Sequence, residues 1–344
     1  MSTINHLSKE VERSLTESCP WLYKNPLGKL SLCVAAILEV RSCNTMEIAA
    51  ALPLDLERPD MRYQWLGRFL SASTVDNDEV MKPFAKQAIE LSSKNGEAII
   101  LCMDQTSVND DHIILAVSIR FGNRCLPLFW RTQKGKGNIG FQKQKEILDI
   151  VNSLIPRGSK VVLLGDRFYG SVELISYLHD KGWDYRLRLK SNITVDIGTR
   201  ASTTGELAMN IPPKGAHFKD VLLTEKMVST NIGIVHEKDH PEAWIIAMKS
   251  EPNYYKTMDY GLRWGIEPMF SDFKTRGFGL EDTKLECPEK IARLILVISL
   301  ALHWAVLSGV IDTAKNALPY EKKQKNLDMI FTKPNVIQKH YQQL

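Results

Sequence analysis

Apolar positions divide the chain by their period. Residues 1–95 follow helical spacing. Residues 30–40 are apolar enough for a buried helix, and Thr45 is placed to cap MEIAAAL, which Pro53 ends. Met61, Trp65, Leu66 and Phe69 mark the buried face of a further helix, on which Arg58, Arg62 and Arg68 stay polar. After Gly96 the pattern changes to short apolar runs between turn residues. Residues 98–103, 112–120 and 125–130 read as three successive strands, with Gly122-Asn123 turning between the last two. A loop rich in glycine and lysine, KGKGNIG, precedes a helix over 142–154. Residues 161–164 form a buried strand, Ser171 can cap the helix VELISYLHDKG, and 184–189 give another strand. A meander followed by strands alternating with helices predicts a mixed α/β sheet.

Beyond this, residues 191–250 carry short strands at 221–223, 232–235 and 244–248 between proline- and glycine-bearing turns, which predicts a β-rich insertion. Residues 292–311 are nearly apolar and long enough to raise the question of a membrane span. Arg293, Ser299, His303 and Ser308 interrupt the run, and it reads as a buried core helix. The expected organisation is a helical N-terminal domain over 1–95, a core in two parts over 96–190 and 251–311, an insertion over 191–250 between them, and a polar, basic tail over 312–344.

Composition narrows the class only mildly. With 344 residues, 44% hydrophobic and 24% charged, the chain suits a folded protein of two or three domains. Its net charge of +4 permits a nucleic-acid partner without requiring one. The six cysteines show neither CxxC pairs nor zinc spacing, which fits a reducing cytoplasm. No GxxxxGKS/T loop is present, which argues against a nucleotide-driven motor.

The candidate chemistry is acidic. Asp104 follows the first predicted strand and Asp166 the fourth, so their carboxylates are expected at one end of the sheet. A third carboxylate, Glu267, lies in YGLRWGIEPMFSDFKTRGFGLEDT, residues 260–283. On one helix, Tyr260, Arg263, Glu267 and Lys274 share a face, with Trp264 beside the arginine. Pro268 suits a first helical turn better than an interior, so the alternatives are a helix that begins near Trp264 or one kinked there.

The spacing Tyr-x2-Arg-x3-Glu-x6-Lys resembles the signature of a large family of bacterial insertion-sequence transposases, DDE enzymes with a ribonuclease-H-like core. Asp104 in MDQTSVN and Asp166 in GDRFYG stand in the family's order. The resemblance implies a ribonuclease-H-like α/β fold, catalysis by Asp104, Asp166 and Glu267, and two Mg²⁺ ions (Mn²⁺ as substitute) held by the same three carboxylates. It also implies DNA contacts from Tyr260, Arg263, Lys274 and Trp264, and base stacking by Trp244 in the insertion. Two short helices across a turn suit a helix-turn-helix-like reader, placing Arg62 and Arg68 on DNA. The expected partners are double-stranded DNA, as terminal inverted repeats and target, and a second copy of the chain. An inactive DNA-binding relative and a ribonuclease-H-like nuclease remain the alternatives, and a nucleoid-associated, membrane-free location is expected.

Overall fold

A computed structural model describes residues 3–316, apart from 57, 94–95, 110, 199–200, 210, 213–214 and 237–241, with side chains described to Val306. The expected tail lies, from residue 317 on, outside the described residues. Five helices come first: α1 (Thr3–Ser18), α2 (Lys24–Val40), α3 (Thr45–Ala51), α4 (Pro59–Leu70) and α5 (Asn77–Ser92). The cap of α3 is Asn44 rather than Thr45, its side chain accepting the Met46 N–H. Pro59 opens α4, where its missing N–H costs nothing.

The meander follows as β1 (Ile99–Asn109), β2 (His112–Phe121) and β3 (Arg124–Lys134). Next come α6 (Phe141–Leu154), β4 (Val161–Gly165), α7 (Val172–Lys181) and β5 (Asp184–Arg188). Ser171 caps α7 as expected, accepting the Leu174 N–H at 3.3 Å. Then come β6 (Thr194–Asp196), β7 (Ala201–Thr203), α8 (Thr204–Met209), β8 (Ala216–Leu223), β9 (Val228–Val235) and β10 (Trp244–Met248). The chain continues through α9 (Tyr254–Met258), a 3₁₀ segment (Asp259–Gly265), α10 (Ile266–Phe273) and α11 (Pro288–Asn316).

All ten strands join one sheet in the order β3-β2-β1-β4-β5-β10-β9-β8-β6-β7. β1 pairs antiparallel with β2 and parallel with β4, and β4 pairs parallel with β5. This is a mixed α/β sheet of the ribonuclease-H-like kind. The 191–250 segment is β-rich, and it extends this sheet: β10 pairs antiparallel with β5. Without β10, the outer edge of β5 would present unpaired backbone groups.

α11 packs among the helices and against β3, with Leu294, Ile298 and Leu302 buried. Two of its polar residues reach partners on other elements. Arg293 donates from Nε to Asn77 and from Nη2 to the Val75 carbonyl, and His303 Nε2 lies 2.8 Å from the Pro127 carbonyl. Among the described residues, no helix is long and apolar enough to cross a membrane. One apolar core runs from Leu30, Ile37 and Leu66 of the N-terminal helices through Leu101 and Leu163 of the sheet to Leu296. The helical layer is therefore fused to the sheet that positions the carboxylates.

Candidate active site

Strand register assembles the acidic end of the sheet. Met103 of β1 lies opposite Gly165 of β4, and Gly165 opposite Leu187 of β5. One residue further along each chain come Asp104, Asp166 and Arg188, so the three stand in a row at strand spacing, roughly 4.8 Å per step. Asp104 is not at a strand end: β1 continues to Asn109, because the longer β2 supplies partners as far as His112. It is β4 that stops, and Asp166 opens the loop there.

That loop is tightly seated. Asp166 accepts the Phe168 N–H on Oδ1 at 2.9 Å and the Tyr169 N–H on its carbonyl at 3.0 Å. A Cβ at Gly170 would strike the Arg188 carbonyl oxygen, so the turn lies flat on β5 only with glycine there.

The segment carrying Arg263 and Glu267 departs from the single helix expected. Tyr260 and Arg263 lie on the 3₁₀ segment, where residues three apart eclipse. The guanidinium accordingly sits 5.8 Å from the Tyr260 ring centroid. Glu267 lies in the first turn of α10, with Pro268 next, where its missing N–H is harmless. Three arginines of the sheet fix this segment from below. Arg186 donates to the Lys256 carbonyl at 2.7 Å, and Arg120 donates to the Leu262 carbonyl at 2.6 Å. Arg124 pairs with the buried Asp272 at 2.9 Å.

Arg263 ties the carboxylates together. Its Nη1 donates to Asp104 Oδ2 at 2.8 Å and its Nη2 to Glu267 Oε1 at 3.1 Å. Burial opposes the Arg263 charge, but Tyr260, Asp104 and Glu267 outweigh it and hold its pKa up. Burial pushes the Asp104 carboxyl up to about 6; Arg263 pulls the other way, and Asp166 and Glu267 add to the rise. The Tyr169 hydroxyl is buried with no partner, and burial, with Asp104 and Asp166 nearby, raises its pKa well above the usual range.

Among the described residues, no three His, Cys, Asp or Glu side chains stand close enough to hold a metal ion in this arrangement. The donor set nevertheless suits one. Asp104, Asp166 and Glu267 offer only hard oxygen ligands, of the kind Mg²⁺ takes. Arg263 pairs with Asp104 and Glu267, one positive charge between two carboxylates with Asp166 next to them in register, which leaves net negative charge that a cation would neutralise.

The other predicted residues divide into those placed as expected and those not. Trp264 is 40% exposed beside the site. Trp244 is 1% exposed: on β10 all five residues are buried, and its ring packs edge-on against Tyr260 and Trp264 at 5.1 and 5.6 Å. In this conformation it supports those rings, and its face is not open to a base, contrary to the expected exposed stacking surface. Tyr260, 3% exposed, is likewise a support for Arg263 rather than a surface donor. Lys274 lies just past α10 and pairs with Glu281 at 2.9 Å, out of line with Arg263 and Glu267. Arg62 donates to the Ala50 carbonyl at 3.3 Å, joining α4 to α3, and Arg68 is exposed in the last turn of α4. Tyr169, Arg188 and the clamping arginines escaped the sequence reading. Only Tyr169, inside GDRFYG, had a local signal.

The fold is thus a ribonuclease-H-like sheet on which Arg263 joins Asp104 to Glu267, with Asp166 on the neighbouring strand's exit. Residues 142–304, just under half of the 344, match the family described as the transposase DDE domain. The chain thus carries a transposase DDE domain, as the Tyr260–Lys274 pattern implied for an insertion-sequence transposase. The matched stretch contains Asp166, Arg263, Glu267 and Lys274 and begins after Asp104. No curated protein matches the chain.

Proposed function

We propose that the protein is a DNA transposase that cleaves and transfers strands at the terminal inverted repeats of an insertion sequence, using Asp104, Asp166 and Glu267. The observation that carries this reading is the register that sets Asp104 beside Asp166, with Arg263 joining Asp104 to Glu267. Asp104, Asp166 and Glu267 are the residues that would hold Mg²⁺. When bound, two such ions activate the attacking oxygen and stabilise the leaving one.

The chain's own residues supply the rest. Arg263, fixed by the 3₁₀ segment and Tyr260, presents a planar guanidinium suited to phosphate oxygens once released from the carboxylates. Trp264 offers an exposed aromatic surface at the same edge. The buried Arg124–Asp272 pair holds α10, and with it Glu267, at a fixed height above the sheet. Arg68 of α4 is the exposed cation of the proposed DNA reader. A dimer acting on paired DNA ends is part of the same reading.

The test is a Mg²⁺-dependent nicking assay on a duplex bearing the element's end sequence. Asp104→Asn, Asp166→Asn and Glu267→Gln should abolish cleavage and still shift the duplex in a gel. Normal cleavage by Glu267→Gln would refute the assignment.

A further inference from the structure

A basic cleft of about 540 Å³ opens beside the candidate active site, lined among others by Arg167, Arg188, Lys190, His236 and Glu242. Its position follows from the same register. Arg167 follows Asp166 directly, and Arg188 ends β5, the strand next to β4. The cleft therefore begins about 10 Å, two strand spacings, from Asp104. Tyr260 links the two places, since Arg263, Arg188 and Asp166 all act on its hydroxyl.

Inside the cleft the charges are arranged unevenly. A single oxygen, Glu242 Oε2, receives Arg167 Nη2 at 3.3 Å and Arg188 Nη2 at 3.2 Å. Glu242 is 63% exposed, whereas Arg188 is 16% exposed. Arg188 is thus set into the sheet, while Arg167, 47% exposed, and Glu242 meet it from the solvent side. One carboxylate oxygen shared by two guanidinium groups, each at long range, is a weak arrangement for an exposed pair. A phosphodiester group offers two charged oxygens and fits two guanidiniums better.

We propose that this cleft is a phosphate-binding subsite for the DNA strand running past Asp166, and that Glu242 occupies its two arginines until the strand displaces it. The proposal rests on the DNA reading above and adds to it a named site and a gate. Arg167 and Arg188 take the backbone phosphate, Lys190 extends the positive path, and Glu242 turns outward. Because Glu242 must be displaced, it weakens binding by competition and lowers the grip on any strand not held elsewhere.

The experiment is a salt titration of duplex DNA binding by fluorescence anisotropy, with the full chain in buffer containing a metal chelator. Glu242→Gln should tighten binding by about 1.4- to fivefold, the range represented by exposed ion pairs of this kind. Arg167→Gln and Arg188→Gln should each flatten the plot of log K against log salt by up to about 0.9. The gain from Glu242→Gln should vanish when both arginines are already replaced, and Lys226→Gln, which pairs with Glu173 away from the cleft, should change nothing. If Glu242→Gln gave the same gain without the arginines, only a general charge effect would be at work and the gate would be refuted. Arginine variants indistinguishable from Lys226→Gln would overturn the subsite while leaving the transposase reading intact. A wild-type chain that binds no DNA even at low salt would overturn both.

Discussion

The acidic cluster should weaken the fold when no metal is bound, and Asp104 is where the effect is largest. Replacing it by Asn keeps shape and removes charge. The Asp104 side chain is 16% exposed, so solvent screens it little. Its carboxyl is held at about 6 in the native state against an ordinary 3.8. A raised native pKa means that the folded chain binds the proton more tightly than the unfolded one. The stabilisation from that proton is complete below about 3.8 and is lost as pH rises through about 6. At neutral pH the ionised Asp104 therefore costs the fold about 2–3 kcal/mol. Asp104→Asn should recover this amount, with Arg263 still paired to Glu267. The assay is urea unfolding of both proteins in chelator from pH 7.5 to pH 4.5, with the fold-cost read as the difference in stability. The variant should lead at pH 7.5, and its lead should shrink steadily as the pH falls through 6. Adding Mg²⁺ should stabilise only the wild type, by about 2.7 kcal/mol at a hundred times its dissociation constant. A variant less stable than wild type at pH 7.5 would show that the Arg263–Asp104 pair outweighs burial, and the reasoning would fail.

Three further outcomes can be measured on the same purified protein. Asp272→Ala removes the carboxylate paired with the buried Arg124 and should cost about 3–5 kcal/mol in urea unfolding; a loss under 1 kcal/mol would mean that α10 is held by other contacts. Tyr169→Phe removes a buried hydroxyl that has no partner, so stability should stay level or rise by up to about 1 kcal/mol, and a clear loss would reveal a hydrogen bond made in solution. Trp244→Ala should cost about 3–5 kcal/mol through the cavity it leaves, whereas Trp264→Ala should weaken DNA binding with little change in stability; the reverse pattern would restore a stacking role to Trp244.

The clustering also explains why three sheet arginines are spent on one short segment. Carboxylates brought together repel one another, and the 3₁₀ segment is a poor hydrogen-bonding structure by itself. Arg186 holds α9, Arg120 the 3₁₀ backbone and Arg124 α10, from three different strands, so Glu267 approaches Asp104 on a braced element.

Period and punctuation in the sequence were enough for much of this protein. The alternation of apolar runs gave β2, β4, β5 and β10 nearly to the residue, because buried strands must be apolar and glycine and proline must bound them. Asp104 and Asp166 were legible as candidates because each directly follows an apolar run, and Glu267 because of its spacing from Tyr260, Arg263 and Lys274. Their neighbourhood was not. That Asp104 lies mid-strand depends on the length of β2, a partner elsewhere in the chain. That Trp244 is covered depends on Tyr260 and Trp264 returning across β10, and the insertion's place in the sheet depends on the open edge of β5. Lys274 left the row because backbone geometry past Phe273 turned it toward Glu281. Arg188 and Glu242 meet Arg167 only through register and a bend. Local pattern is set by each residue's own solvation, whereas these contacts join distant segments, and only tertiary packing decides which distant segments meet.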